Sequence, residues 1–153
     1  MSDTVPPAFE PPAFEKARSP GYLVNRLARL FANRLAAAIR PLGLAPAQFM
    51  TLLELWEEDG LTQAELVARL AVEQATMAGT VARMERDGLI ERRPHPVDRR
   101  AQTLHLTARA RALRGPATAA AAEVNARALA GLEARDGQVL LDLITRMAGN
   151  LAD

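Results

Sequence analysis

The chain has 153 residues with a formal net charge of +1, and 49% of them are hydrophobic, enough for one packed domain or one module set in a larger helical frame. It contains no cysteine, which excludes disulfides, thiolate nucleophiles, cysteine zinc sites and thiol redox switches. Two histidines, His95 and His105, argue against a histidine-rich metal centre, and no cofactor or metal is expected.

No apolar run approaches the roughly 20 residues of a membrane helix. The start, MSDTVPPAFEPP, lacks the basic and apolar regions of a secretory signal. A cytoplasmic protein with no membrane partner is expected. Residues 1–20 read as a proline-rich N-terminal arm holding a tandem repeat, PPAFE at 6–10 and again at 11–15. Proline disfavours helix here. The arm is either a loosely held tail or a clasp that docks Phe9 and Phe14 on a partner subunit.

Gly21 to Arg40 reads as the first long helix, because Leu23, Leu27, Leu30, Phe31, Leu35 and Ile39 recur at three- and four-residue steps. Pro41 stops it. Pro46 suits the first turn of a second helix reaching about Glu58, with Phe49, Leu52, Leu53 and Trp56 inward. Trp56 is read chiefly as a core residue, with ligand stacking as the alternative. Glu57, Glu58 and Asp59 make an acidic helix end, opposed to the helix dipole and so expected to be exposed.

Thr62-Gln63-Ala64-Glu65 matches a capping box and opens a third helix. A fourth runs from near Glu73 to about Asp87, with Met77, Val81 and Met84 inward and Gly88 as its left-handed stop. Strands follow at Leu89–Arg93 and Gln102–Leu106, joined by the loop RRPHPVDRR, where Pro94 and Pro96 should hinder extension of the ladder. Alternation puts Leu104 and Leu106 on one face, with Thr103 and a solvated His105 on the other. Thr107 caps a fifth helix to about Gly131, with a kink expected at Gly115-Pro116. A sixth, from about Ala134 to Leu151, carries Val139, Leu140, Leu143, Ile144, Met147 and Leu151, an apolar stripe that suggests a partner surface.

The expected fold is therefore mainly α with a small β-hairpin. A winged helix-turn-helix at 46–106 is flanked by N- and C-terminal dimerisation helices at 21–45 and 107–153. The outer face of the fourth helix is small or polar: Gln74, Ala75, Thr76, Ala78 and Gly79, with Arg83 farther along. Such a face admits close approach to a major groove. Gln74 can pair with adenine, Thr76 can meet a base or phosphate, and Arg83 suits a phosphate. In the loop, Arg99 and Arg100 suit a narrow minor groove, His95 lies beside them, and Asp98 is spaced to orient the Arg100 guanidinium.

The run from Leu61 to Leu113 resembles the MarR family of bacterial transcription regulators. The residues that carry the likeness are LTQAELVARL, then TMAGTVARMERDGLIERR at 76–93, DRRA at 98–101 and HLTARARAL at 105–113. The resemblance implies a homodimeric, sequence-specific regulator of double-stranded DNA, bound at a pseudo-palindromic operator. It implies repression, commonly relieved by a small aromatic or phenolic effector, with Arg100 reading a minor groove. Glycine at 79 departs from the polar or basic residue common in relatives. Candidate pocket residues, placed by position alone, are Tyr22, Arg26, Met50, Leu53 and Trp56. The alternative is a non-sensing winged-helix module for DNA architecture or protein contacts. An enzyme is not expected: the chain has no cysteine, no paired histidines on one helix face and no glycine-rich phosphate loop.

Overall fold

The computed structural model describes residues 9–10 and 13–152, so the first PPAFE copy and the start of the second lie largely outside the described residues. Phe9 and Phe14 are described, and both are more than four-fifths exposed. A short 3-10 turn, Lys16–Arg18, leads into the first helix.

Helix α1 spans Pro20–Ile39, with Ser19 accepting a hydrogen bond from the Tyr22 N–H and Pro20 in the first turn. A 3-10 turn at Arg40–Leu42 closes on Gly43, whose φ of 74° needs a glycine. Helix α2 spans Pro46–Glu57. The Gln48 side chain accepts from the Ala45 N–H at 2.9 Å, and its amide donates to Asp87 at 2.7 Å. That one side chain ties the start of α2 to the end of a later helix. More of α2 is buried than one stripe allows: Gln48, Phe49, Thr51, Leu52, Leu55 and Trp56. Leu55 was not among the expected inward residues, and Leu53 is only half-buried. The reason is that α2 lies at the centre, packed by α1 and by three of the helices that follow it in the chain.

Strand β1 is the two-residue piece Leu61–Thr62, followed directly by α3, Gln63–Leu70. The predicted capping box is present: Thr62 Oγ1 accepts from the Glu65 N–H at 3.2 Å, and Glu65 accepts from the Thr62 N–H at 2.7 Å. Helix α4 spans Gln74–Arg86, burying Met77, Val81 and Met84 as expected and Thr80 besides. Gly88 follows at φ 67°. Strands β2, Ile90–Pro94, and β3, Gln102–Leu106, pair antiparallel from Ile90 with Leu106 to Pro94 with Gln102.

The sheet differs from the expected hairpin in two ways. It has three strands in the order β1-β3-β2, because Leu61 and Thr62 pair with Leu104 and Thr103. It also includes Pro94, which pairs with Gln102. β2 is an edge strand, so the missing proline N–H costs no ladder bond. His95 then continues the ladder by donating its N–H to the Ala101 carbonyl at 3.1 Å.

Helix α5 spans Ala108–Ala128 and α6 spans Ala134–Asn150. Thr107 caps α5 and donates its hydroxyl to the Gly88 carbonyl at 2.7 Å, which pins the helix to the turn after α4. Pro116 lies inside α5, which runs through it unbroken, and the helix stops before Gly131, at φ 87°. The core is continuous from Ile39 and Leu44 through α2, α3, α4 and the sheet to Ala110 and Ala117. Nothing in α6 is buried. Its Val139, Leu143, Ile144 and Met147, like Leu23, Leu27 and Leu30 of α1, are exposed.

Candidate nucleic-acid interface

Helix α4 presents the expected face. Gln74, Ala75, Thr76, Ala78 and Arg83 are exposed, and Gly79 is half-buried. Gln74, Ala75 and Thr76 form the first turn, where backbone N–H groups lack partners within the helix and favour negative charge. Glu73 is the N-cap residue and makes no side-chain cap bond. Arg83 turns back along the helix, with its guanidinium 3.5 Å from Thr80 Oγ1 and 3.9 Å from where a Cβ on Gly79 would lie.

The wing is built from the backbone outward. His95 Nδ1 accepts from the Val97 N–H at 3.2 Å and the Asp98 N–H at 2.9 Å. Asp98 Oδ1 accepts from the Arg100 N–H at 2.9 Å, and the Asp98 carbonyl accepts from the Ala101 N–H at 3.1 Å. Asp98 was expected to orient the Arg100 guanidinium; it holds the Arg100 backbone instead. An Asp two residues before its partner reaches the main chain with less ordering than a long arginine side chain requires.

The wing's arginines divide by sequence neighbours. Arg92 pairs with Glu85 of α4 at 3.0 Å and reaches Gln102 at 3.4 Å, so it staples the wing to α4. Arg93 faces Glu91 at 3.6 Å. Arg99 and Arg100 are exposed, and neither makes an ion pair among the described residues. Two cations thus remain available at the tip while the two at its base are engaged.

A second polar cluster fixes the sheet to the helical frame, and the sequence did not single it out. Asp59, expected to be merely exposed, accepts from the Leu106 N–H at 2.8 Å and pairs with Arg111 at 2.9 Å. Burial raises the Asp59 carboxyl, but the Leu106 N–H, the Arg111 bond and the charges of Arg111 and His105 outweigh it and leave the pKa below 3.8. His105 is not a solvated strand residue. Its ring lies against Gly60, its Nε2 is 2.9 Å from Thr103 Oγ1, and its Nδ1 is 3.7 Å from Asp59. Thr103, on the same face, is buried and donates to the Arg93 carbonyl at 3.3 Å. The sequence signal for this cluster was Gly60 after an acidic run: at φ 87°, it brings the α2 end back to β3, where its N–H donates to the Leu104 carbonyl.

The five guessed pocket residues are not brought together. Met50 and Leu53 line a cleft of about 580 Å³ between α1, α2 and α5, with Phe31, Leu35, Phe49 and Val124. Trp56 is buried away from it, its ring edge-on to Phe49 at 6.1 Å and its Nε1 donating to the Ala110 carbonyl at 3.0 Å. Tyr22 and Arg26 lie on the exposed N-terminal half of α1. A further cleft of about 680 Å³ lies between α1 and α5, with Arg34, Glu123 and Arg127 among its walls. The α5 walls of both clefts come from an alanine-rich segment with no periodic apolar stripe to mark it.

A helix-turn-helix joined to a three-stranded sheet with a basic hairpin defines the winged helix-turn-helix class of DNA readers. The MarR family model matches residues 44–101. The HTH-type transcriptional repressor Rv2887 of Mycobacterium tuberculosis is 34% identical over 114 residues, 74% of this chain and 82% of that one. The PcaV transcriptional regulator of Streptomyces coelicolor, solved with its natural ligand, is similar at 28% identity and a TM-score of 0.76, over 90% of this chain and 96% of that chain. A MarR-family regulator from Listeria monocytogenes, solved with a 26mer DNA, shares the fold at 24% identity and a TM-score of 0.83, over 88% of this chain and 90% of that chain. The chain belongs to the MarR family of transcriptional regulators.

Proposed function

We propose that this protein is a homodimeric repressor that binds a pseudo-palindromic DNA operator and is released by a small aromatic or phenolic effector. The observation that carries the DNA reading is the pairing of a close-approach α4 face with two exposed wing-tip arginines that make no ion pair among the described residues. In this reading α4 enters a major groove through Gln74, Ala75, Thr76, Ala78 and Gly79. Arg83 meets a phosphate, and Arg99 and Arg100 enter the flanking minor groove. Residues 46–106 are the reader. Residues 21–45 and 107–153 form the dimer frame, and the protein works in the cytoplasm, where bacterial DNA lies.

Two observations support the dimer and the effector. The apolar faces of α1 and α6 lie open on the single chain, more than a lone domain usually leaves in water. The cleft holding Met50 and Leu53 lies between the frame helices and the reader, so an occupant there can alter their relative position. That PcaV and the Listeria regulator were solved with a ligand and with DNA agrees with this reading.

The test is footprinting of the DNA upstream of this protein's own gene, with and without a panel of small aromatic acids. A protected pseudo-palindrome is expected, with half-sites about 10 base pairs apart. Affinity should fall steeply with salt as phosphate counterions are released. No binding even at low salt would refute the DNA reading. Protection that no aromatic acid alters would refute the effector.

A further inference from the structure

We propose that His95 is a positioning residue of the wing: its unprotonated Nδ1 holds the turn that presents Arg99 and Arg100. The inference deepens the DNA reading and rests on it. It starts from a constraint of chemistry. Backbone N–H groups only donate, so a ring nitrogen that receives two of them must carry a lone pair. His95 Nδ1 receives the Val97 N–H at 3.2 Å and the Asp98 N–H at 2.9 Å. The ring proton therefore sits on Nε2.

The caps form a chain. Nδ1 fixes the backbone of Asp98; the Asp98 carboxylate fixes the backbone of Arg100; the His95 N–H and the Ala101 carbonyl, 3.1 Å apart, close the loop at its base. Pro94 and Pro96 flank His95 in the chain and restrict the backbone on either side of it. The exposed tip has no hydrophobic anchor: Val97 is 85% exposed. Its order rests on these polar bonds.

Protonation of Nδ1 removes both acceptor bonds at once and sets an N–H against two N–H groups. Histidine is the side chain that takes up a proton between about pH 5 and 8. The charged groups of the wing are Glu91, Arg92, Arg93, Asp98, Arg99 and Arg100; from the packed helix α3 there is Glu65. The Glu65 carboxyl is lowered mainly by its bonds from Thr62, and least by the charge of His95. DNA phosphates, in contrast, would attract a protonated imidazole. The two effects have opposite signs. Positioning predicts weaker binding in acid, and direct phosphate contact by His95 predicts stronger binding.

The experiment uses the full chain and a labelled duplex selected by the wild-type protein from a random-sequence pool. His95→Ala should lose affinity about tenfold at about pH 7.5, the scale of two lost backbone hydrogen bonds. His95→Asn places an amide oxygen where Nδ1 was. It should recover most of the loss and bind with less weakening in acid than the positioning role predicts for wild type. In DNA-free protein, ring ¹⁵N shifts should show the Nε2–H tautomer, and the Val97 and Asp98 amides should move with the imidazole's titration. An alanine variant that binds like wild type, an asparagine variant as weak as alanine, or tighter wild-type binding in acid would each overturn the proposal. If no variant and no wild-type protein bound DNA, the DNA reading would fall, while the tautomer and amide shifts would still decide the cap.

Discussion

Arg100 and Asp59 show how differently single residues serve this protein. Arg100 is exposed, has no ion partner among the described residues, and is held only through its backbone by Asp98. Its guanidinium is free to enter a groove, so Arg100→Ala should weaken operator binding by about 1–3 kcal/mol in a titration at physiological salt, with no change in melting temperature. Unchanged affinity would remove it from the interface. Asp59 does the reverse: it touches no expected ligand and joins β3 to α5 through the Leu106 N–H and Arg111. Its folded pKa lies below 3.8, so its contribution is complete above that value and is lost as pH falls through the folded pKa. Asp59→Asn should therefore destabilise by about 1 kcal/mol at neutral pH, the scale of a partly exposed, solvent-screened ion pair. In denaturant melts the deficit should shrink toward nothing in strong acid; a deficit that persisted there would mean that the carboxylate's charge is not what matters.

At the scale of elements, α4 was the most legible and β1 the least. Met77, Val81 and Met84 repeat at helical spacing against a face of alanine and glycine, and both faces are where that pattern puts them. Gly79 invites a test. A Cβ there meets nothing nearer than Arg83 at 3.9 Å, so the free protein does not need glycine. Gly79→Ala should raise stability by about 0.5–1 kcal/mol through helix propensity, read by thermal melts. If α4 lies close in a major groove, the same change should weaken DNA binding; tighter binding would place Gly79 away from the DNA. β1 went unread because two residues carry no periodicity, and Leu61–Thr62 becomes a strand only because β3 lies beside it. Trp56 was ambiguous for a related reason. Its apolar face was legible, but the Ala110 carbonyl that satisfies its N–H lies on another helix, 54 residues away.

The whole molecule has one continuous core, from Ile39 through α2, α3, α4 and the sheet to Ala117, while the apolar outer faces of α1 and α6 lie open on the single chain. α6 has no buried residue, yet it carries Val139, Leu143, Ile144 and Met147 along one side. If a second copy covers that side, Ile144→Glu should give a monomer by sedimentation and cost far more DNA affinity than any single base contact, because two half-sites would no longer be read together. A dimer that survived this change would place the interface elsewhere. Local signals in the chain were enough to determine the helices, the Thr62 and Thr107 caps, the hairpin and the family: apolar spacing, Thr62-to-Glu65 reciprocity and the basic loop all act within a few residues. Only the tertiary structure decided the third strand, the Asp59–Arg111–His105 junction, the burial of Trp56, and which wing arginines stay free. Each of these depends on groups distant in sequence meeting in space. A hydrogen bond or ion pair across such a distance leaves no period in the chain.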